Sequence, residues 1–268
     1  MSGVSCEYCG NEYKNKDSRH SHWQRYPNHR PDTTQCPTCR KPFISLGQHW
    51  GKSRECQMEM SDKQIEILTG IMMGDGTLNR RNNTPTVEVK CINNEYLDYL
   101  DNIFGIFSNG VSFYMSGRES CKQAVDSGLA EDAEISNYSD VYRWMTINHT
   151  NLYMFDWYTG EKGEKVWPED IDLTPTVLKH WYVGDGNYRG GGSRCTIRIS
   201  AANERGNEEK ISSYFKRAGL PKPSRFDHSR GLTIVFNKEE SKQLFEYMGE
   251  SVPGFERKWP SKSGDDDE

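Results

Sequence analysis

Twice in this chain a capped, apolar helical segment runs straight into Gly-Asp-Gly, and that duplication narrows the possible folds more than any other feature. Ser61-Asp62-Lys63-Gln64 reads as a capping box, with Ser61 as N-cap and Gln64 at the third helical position. An apolar helix over residues 65–73 follows and stops at Gly74-Asp75-Gly76. Further along, Thr174-Pro175 supplies an N-cap with proline in the first turn, and residues 177–183 run into Gly184-Asp185-Gly186. The surroundings repeat too. Residues 86–93 and 196–203 alternate as strands, each leading into a helix, at 95–107 and 208–218. A second strand-to-helix passage follows in each copy, 143–147 into 151–158 and 231–235 into 239–248. Both copies close on Trp-Pro, at Trp167-Pro168 and Trp259-Pro260. Residues 118–140 fit neither copy; with Asp126, Glu131, Asp132 and Glu134 they read as an acidic surface insertion.

A second, shorter repeat precedes this pair. Cys6-x2-Cys9 is followed by Tyr13, His22-Trp23 and His29; Cys36-x2-Cys39 is followed by Phe43, His49-Trp50 and Cys56. The period is about thirty residues. A Cys-x2-Cys turn places two thiolates on one side of a tetrahedral ion, and two ligands from a short helix complete the set. Thirty residues bury too little to fold alone, so a bound zinc would supply most of the folding free energy. The expected ligands are Cys6, Cys9, His22 and His29 in one module, and Cys36, Cys39, His49 and Cys56 in the other. His20 competes with His22, and the match to the second His-Trp pair favours His22. Arg19, Arg25, Arg30, Arg40, Lys41, Lys52 and Arg54 decorate the modules and suit phosphate contact, with protein docking the competing role.

Net charge argues against a simple nucleic-acid protein. The formal total is −5, with Lys+Arg 34 against Asp+Glu 39. The first sixty residues are net basic, and the last eight, Ser-Lys-Ser-Gly-Asp-Asp-Asp-Glu, are acidic. A role on DNA therefore requires the basic groups to be gathered on one face. Aromatic residues at 12% rule out a disordered chain. With no apolar run of membrane length and no signal peptide, a cytoplasmic protein without membrane contact is expected.

The segments 68–76 and 178–186, each closing on Gly-Asp-Gly, resemble the paired signature of the LAGLIDADG homing endonucleases, and so does the phrase Asp172-Leu173-Thr174-Pro175. The resemblance covers about residues 61–260. Two copies in one chain resemble the single-chain branch, which acts as a monomer on asymmetric sites. The fold it implies is α+β: two αββαββα repeats about a pseudo-twofold axis, with saddle-shaped antiparallel sheets. The division expected is zinc modules at 1–32 and 33–60, repeats at 61–170 and 171–260, and an acidic tail at 261–268. The signature helices would pack side by side through Gly70, Gly74 and Gly184, while His180, standing where Gly70 stands, is expected to face its own repeat's core.

The resemblance also implies a site. Asp75 and Asp185 would meet at two helix C-termini, where the helix dipole already disfavours negative charge. A divalent cation relieves both repulsions, and magnesium, hard and oxygen-seeking, fits. Asp75 and Asp185, with Gly74 and Gly184 beside them, would hold it near the scissile phosphates of double-stranded DNA. Lys238 matches the basic residue that the family places at a late helix start, with Asn148 or His149 as its counterpart. On the open strand face, Thr86, Glu88, Lys90, Thr196, Arg198 and Ser200 would read base edges, and Arg80, Arg81, Arg189 and Arg194 would meet phosphates. The competing reading is a binder without catalysis, either a maturase acting on intron RNA or a DNA-binding regulator.

Overall fold

The computed structural model describes residues 4–260 apart from 7, 15, 30–32, 81–83, 129–133, 161–162, 190–195 and 230. Two small ββα modules come first. In one, β1 (Val4–Ser5) and β2 (Glu12–Tyr13) pair antiparallel ahead of α1 (Lys16–Arg25). In the other, β3 (Thr34–Gln35) and β4 (Pro42–Phe43) pair ahead of α2 (Leu46–Lys52). Ser45 caps α2 by accepting the Gln48 N–H.

The first large repeat starts with α3 (Asp62–Met73), where Ser61 and Gln64 form the expected reciprocal box. It continues through β5 (Thr77–Asn79), β6 (Thr86–Cys91), α4 (Asn94–Phe104), β7 (Ser108–Met115), α5 (Gly117–Asp126) and β8 (Val141–Thr146). The second runs α6 (Pro175–Asp185), β9 (Gly186–Arg189), β10 (Thr196–Ser200), α7 (Glu208–Arg217), β11 (Arg225–Asp227), β12 (Thr233–Phe236) and α8 (Lys238–Met248). Both sheets are four-stranded and antiparallel with one strand order, β5-β6-β8-β7 and β9-β10-β12-β11. This is the duplicated α+β fold expected from the sequence.

α3 and α6 meet backbone to backbone between the two sheets. A Cβ added to Gly70 would lie 2.4 Å from the Val177 carbonyl oxygen and 2.8 Å from the His180 Cβ, so only glycine permits this approach. His180 points across the seam rather than into its own repeat. Its Nδ1 lies 2.9 Å from the Tyr96 hydroxyl, and its ring stacks on Tyr99; both tyrosines are on α4 of the other repeat. The pairing of a glycine on one helix with histidine on the other explains this: the small residue opens the room into which the large one crosses.

Along the strands, Val87, Val89, Ile197 and Ile199 are buried as the alternation requires, each side chain contributing about 1.5–3 kcal/mol of transfer free energy. Thr86, expected on the open face, is buried instead. The Asn148 amide donates to the Thr84 carbonyl and the His149 N–H to that of Pro85, closing a turn over the start of the strand.

Repeat one differs from the expected pattern in two further places. The supposed insertion holds α5, with its own capping box between Ser116 and Glu119 and a buried Cys121; Glu131 and Asp132 lie outside the described residues. The helix expected over 151–158 is a short 3-10 helix, Thr150–Phe155. The second module covers this end of the sheet. A Cβ on Gly47 would lie 3.1 Å from both Asn148 N and Ile147 Cβ, and the buried Trp50 packs on Phe107 and His149. His149 Nε2 lies 2.8 Å from the Met58 carbonyl oxygen, and the Thr150 hydroxyl donates to Gln57. Cys36, Leu46, Trp50 and Cys56 thereby join the main core.

Candidate active site and DNA face

The glycines that end the signature segments face one another. A Cβ on Gly74 would lie 3.6 Å from Gly184 Cα and 3.7 Å from an Asp185 carboxylate oxygen; a Cβ on Gly184 would lie 3.6 Å from an Asp75 carboxylate oxygen. Each aspartate thus lies against the end of the opposite helix. α3 stops at Met73, leaving Asp75 exposed in a turn, whereas α6 continues through Asp185, which is half-buried. Burial, and then the neighbouring Asp75, push the Asp185 carboxyl up to about 7, while Lys165 and Lys258 pull it down.

Those two lysines stand beside the acid pair and were not among the residues expected there. Lys165 Nζ donates to the carbonyls of Gly74 (2.6 Å) and Gly76 (3.0 Å); Lys258 Nζ donates to Val183 and Gly186, both at 2.7 Å. They satisfy carbonyls that a helix C-terminus leaves open and set positive charge against its negative end. Burial lowers both pKa values; Asp185 and Asp75 raise that of Lys165, and Asp75 and Asp185 raise that of Lys258. A signal was available. Each lysine comes just before a closing Trp-Pro, Lys165 two residues and Lys258 one residue ahead of the tryptophan. Lys238, by contrast, is exposed at the first position of α8. Asn148 and His149 are occupied in the turn that holds the second module.

The donors at the seam fit a hard divalent cation. Two carboxylates converge, and one of them keeps its proton to about pH 7 because burial, and then the neighbouring Asp75, outweigh the pull of Lys165 and Lys258. The Gly74 carbonyl beside the carboxylates accepts from Lys165, and a carbonyl oxygen has two lone pairs.

In each N-terminal module the four sequence-predicted ligands come together. The donor atoms of Cys6, Cys9, His22 and His29 lie within 4.8 Å of one another, as do those of Cys36, Cys39, His49 and Cys56. His22 Nε2 is 3.5 Å from Cys9 Sγ and 3.1 Å from His29 Nδ1; the His20 side chain lies outside the described residues. The tryptophans of the two His-Trp pairs have a role as well. Burial raises the Cys6 and Cys36 thiols, but backbone N–H groups of the Cys-x2-Cys turns and the indoles of Trp23 and Trp50 bring both down to about 6. Cys56 is raised to about 11 by burial and by Cys39 and Cys36. Three thiols that crowd one another in this way suit a tetrahedral ion that takes thiolates.

On the sheet of repeat one, Glu88 and Lys90 share the open face with Arg143 of β8 and Tyr114 of β7. Glu88 pairs with Lys90 at 3.0 Å and Arg143 at 3.8 Å, and Lys90 Nζ sits 4.1 Å over the Tyr114 ring. In repeat two, Arg198 pairs with Asp227 at 3.4 Å, Arg225 joins them, Thr196 is half-buried and Ser200 exposed. Arg143, Tyr114 and Arg225 were not expected here; alternation in Arg143-Trp144-Met145 was the available signal for the first. Arg189 is exposed at the end of β9. Arg80 is tied to Asp156 and lies over Tyr158. Arg81 and Arg194 lie outside the described residues.

A twofold-repeated α+β body with an acid pair at the seam and charged sheet faces beside it defines a class of duplicated helix-seam proteins. The chain belongs to the LAGLIDADG DNA endonuclease family, whose model matches residues 65–244. Among solved structures, it is similar to the homing endonuclease I-WcaI bound to its DNA recognition sequence, at 15% identity and TM-score 0.61, covering 78% of this chain and 90% of that one. It is also similar to the N-terminal LAGLIDADG domain of DUF199/WhiA (9% identity, TM-score 0.45, 78% and 95% covered). A third is I-SmaMI bound to uncleaved DNA target in the presence of calcium ions (13% identity, TM-score 0.40, 72% and 87% covered). No curated protein sequence matches the chain. None of its described helices is long and apolar enough to cross a membrane.

Proposed function

We propose that this protein is a site-specific homing endonuclease that works as a monomer, making a metal-dependent double-strand break in a long asymmetric DNA site. The observation that carries this reading is the convergence of Asp75 and Asp185 across the Gly74–Gly184 contact, with Asp185 raised to about 7. Together the two carboxylates would hold magnesium, which supplies charge neutralisation and an activated water. Lys165 and Lys258 place ammonium groups beside the acids, where they would stabilise charge building on the phosphate oxygens. Lys90, Arg143, Arg198 and Arg225, each partly neutralised by a neighbouring acid, would exchange those partners for base edges and phosphates. Zinc in the two N-terminal modules would fix their folds, and the first module, with Arg19 and Arg25 on α1, would lengthen the contact with DNA.

The test is cleavage of a randomised duplex library in magnesium, with the new ends sequenced, beside Asp75→Asn and Asp185→Asn. The expected outcome is one family of cut sites for the native chain and none for either variant. Retention of DNA or intron RNA without cutting would favour the non-catalytic binder. Cutting that survives both substitutions would remove the assigned site.

A further inference from the structure

Lys165 and Lys258 stand on segments that lie outside the signature helices, and each segment is gripped by the other repeat. Residues 167–171, just after Lys165, are clamped from α7. Lys210, Tyr214 and Arg217 stand on one face of that helix. Lys210 Nζ donates to the Trp167 carbonyl at 2.8 Å, and the Tyr214 hydroxyl donates to that of Pro168. The Arg217 guanidinium donates to the backbone carbonyls of Glu169 at 3.0 Å and Ile171 at 2.7 Å. Glu204 completes the clamp. One of its oxygens accepts the Trp167 N–H; the other takes Lys210 at 2.6 Å and the Asn207 amide at 2.9 Å. The side chains of Glu204 and Lys210 are 0% and 7% exposed.

A buried ion pair is a poor way to gain stability, because desolvation cancels most of the attraction and apolar residues of equal volume often do as well. This pair does something apolar residues cannot. It binds both the N–H and the C=O of a single residue, Trp167, and so fixes the chain two residues beyond Lys165. The opposite brace is simpler: the Asn93 amide of repeat one donates to the Gly254 carbonyl, four residues before Lys258.

We propose that the Glu204–Lys210 ion pair is a positioning element for Lys165, holding its ammonium at the end of α3 and thereby setting the cleavage rate of one DNA strand. This rests on the nuclease reading above. Misplacing a group in a catalytic site by about 1 Å can cost about 100-fold in rate, and a loosened Trp167 peptide would shift Lys165 by that order.

The experiment uses the full chain, magnesium and a duplex recovered from the library, with each strand labelled separately. Lys165→Met first identifies the strand that lysine serves. Glu204→Gln/Lys210→Met then removes both buried charges together, and Arg217→Ala, at the exposed end of the clamp, loosens the same segment without touching the pair. The expected result is that the double variant cuts the Lys165-dependent strand about 10- to 100-fold more slowly. Nicked duplex accumulates, while the other strand's rate and the DNA affinity stay as in the native chain. Arg217→Ala gives the same bias more weakly, and Lys210→Arg restores the native balance. Equal slowing of both strands, in these variants or in Lys165→Met, overturns the proposal, as does an unchanged balance in both clamp variants. A native chain that cuts no duplex removes the nuclease reading and this inference with it; a native chain that cuts while the variants match it removes only the inference.

Discussion

The two repeats share a strand order and a signature, yet they present their aspartates differently. Asp75 sits in a turn past the end of α3 and is exposed; Asp185 is the last residue of α6, half-buried and holding its proton to about pH 7. The seam is lopsided too, with Gly70 on one side and His180 at the equivalent place on the other. Duplication thus fixes the frame while leaving each half free to settle its own electrostatics. One half keeps an acid in water, and the other keeps an acid that waits for a cation.

The largest effect expected of this comparison is on cleavage. Asp75→Asn and Asp185→Asn should each lower the cutting rate by about 1,000-fold or more, yet they should part company in metal-free protein. At pH 8 Asp185→Asn should raise the melting temperature more, because it removes the buried charge; equal effects on stability would erase the distinction between the halves. Next comes the seam. Gly70→Ala should destabilise the fold by about 3 kcal/mol, since its Cβ meets backbone that cannot retreat. A denaturant midpoint unchanged from the native chain would show that α3 and α6 do not touch as described.

The N-terminal modules extend the contrast. Cys56→Ser should lower the melting temperature of the duplicated body by roughly 10 °C, because the second module shares its core. Cys9→Ser in the first module should leave that transition nearly unmoved. A smaller effect separates the two buried titrating groups by sign. Asp185 has a folded pKa of about 7 against 3.8, so its contribution to metal-free stability is fullest below pH 3.8 and lost as pH rises through 7. His180 is depressed to about 3 from 6.5 by burial, then by Lys179 and Lys63, so its contribution is present above pH 6.5 and lost as pH falls toward 3. Melting temperatures followed across pH 3 to 8 should show opposite changes over the window that the two groups share: Asp185→Asn should remove a fall in stability as pH rises, and His180→Gln should remove a rise. Smallest of all, Arg143→Ala should weaken DNA binding by about tenfold, measured by titration of a recovered site.

Much of this was legible in the sequence because it rests on local chemistry. Caps at Ser61 and Thr174, alternation at Val87-Val89 and Ile197-Ile199, and the Cys-x2-Cys turns all act within a few residues, and the structure repeats them. What could not be read depends on contacts between distant segments. Lys165 and Lys258 look like ordinary surface lysines until the chain folds back onto helix ends roughly ninety and seventy residues earlier. The short 3-10 helix at Thr150–Phe155 reads as a full helix because the module that covers its neighbourhood lies about a hundred residues away. His180 crosses the seam only because Gly70 makes room, which no single helix's pattern can reveal.

The docking of the second module also sets a rule for anyone wishing to re-engineer the chain. Its tryptophan and two of its cysteines belong to the same core as the sheet of repeat one, so trimming the protein back to the duplicated part would strip away a wall rather than an accessory. The segment open to exchange is the one before it, none of whose described residues belongs to that core.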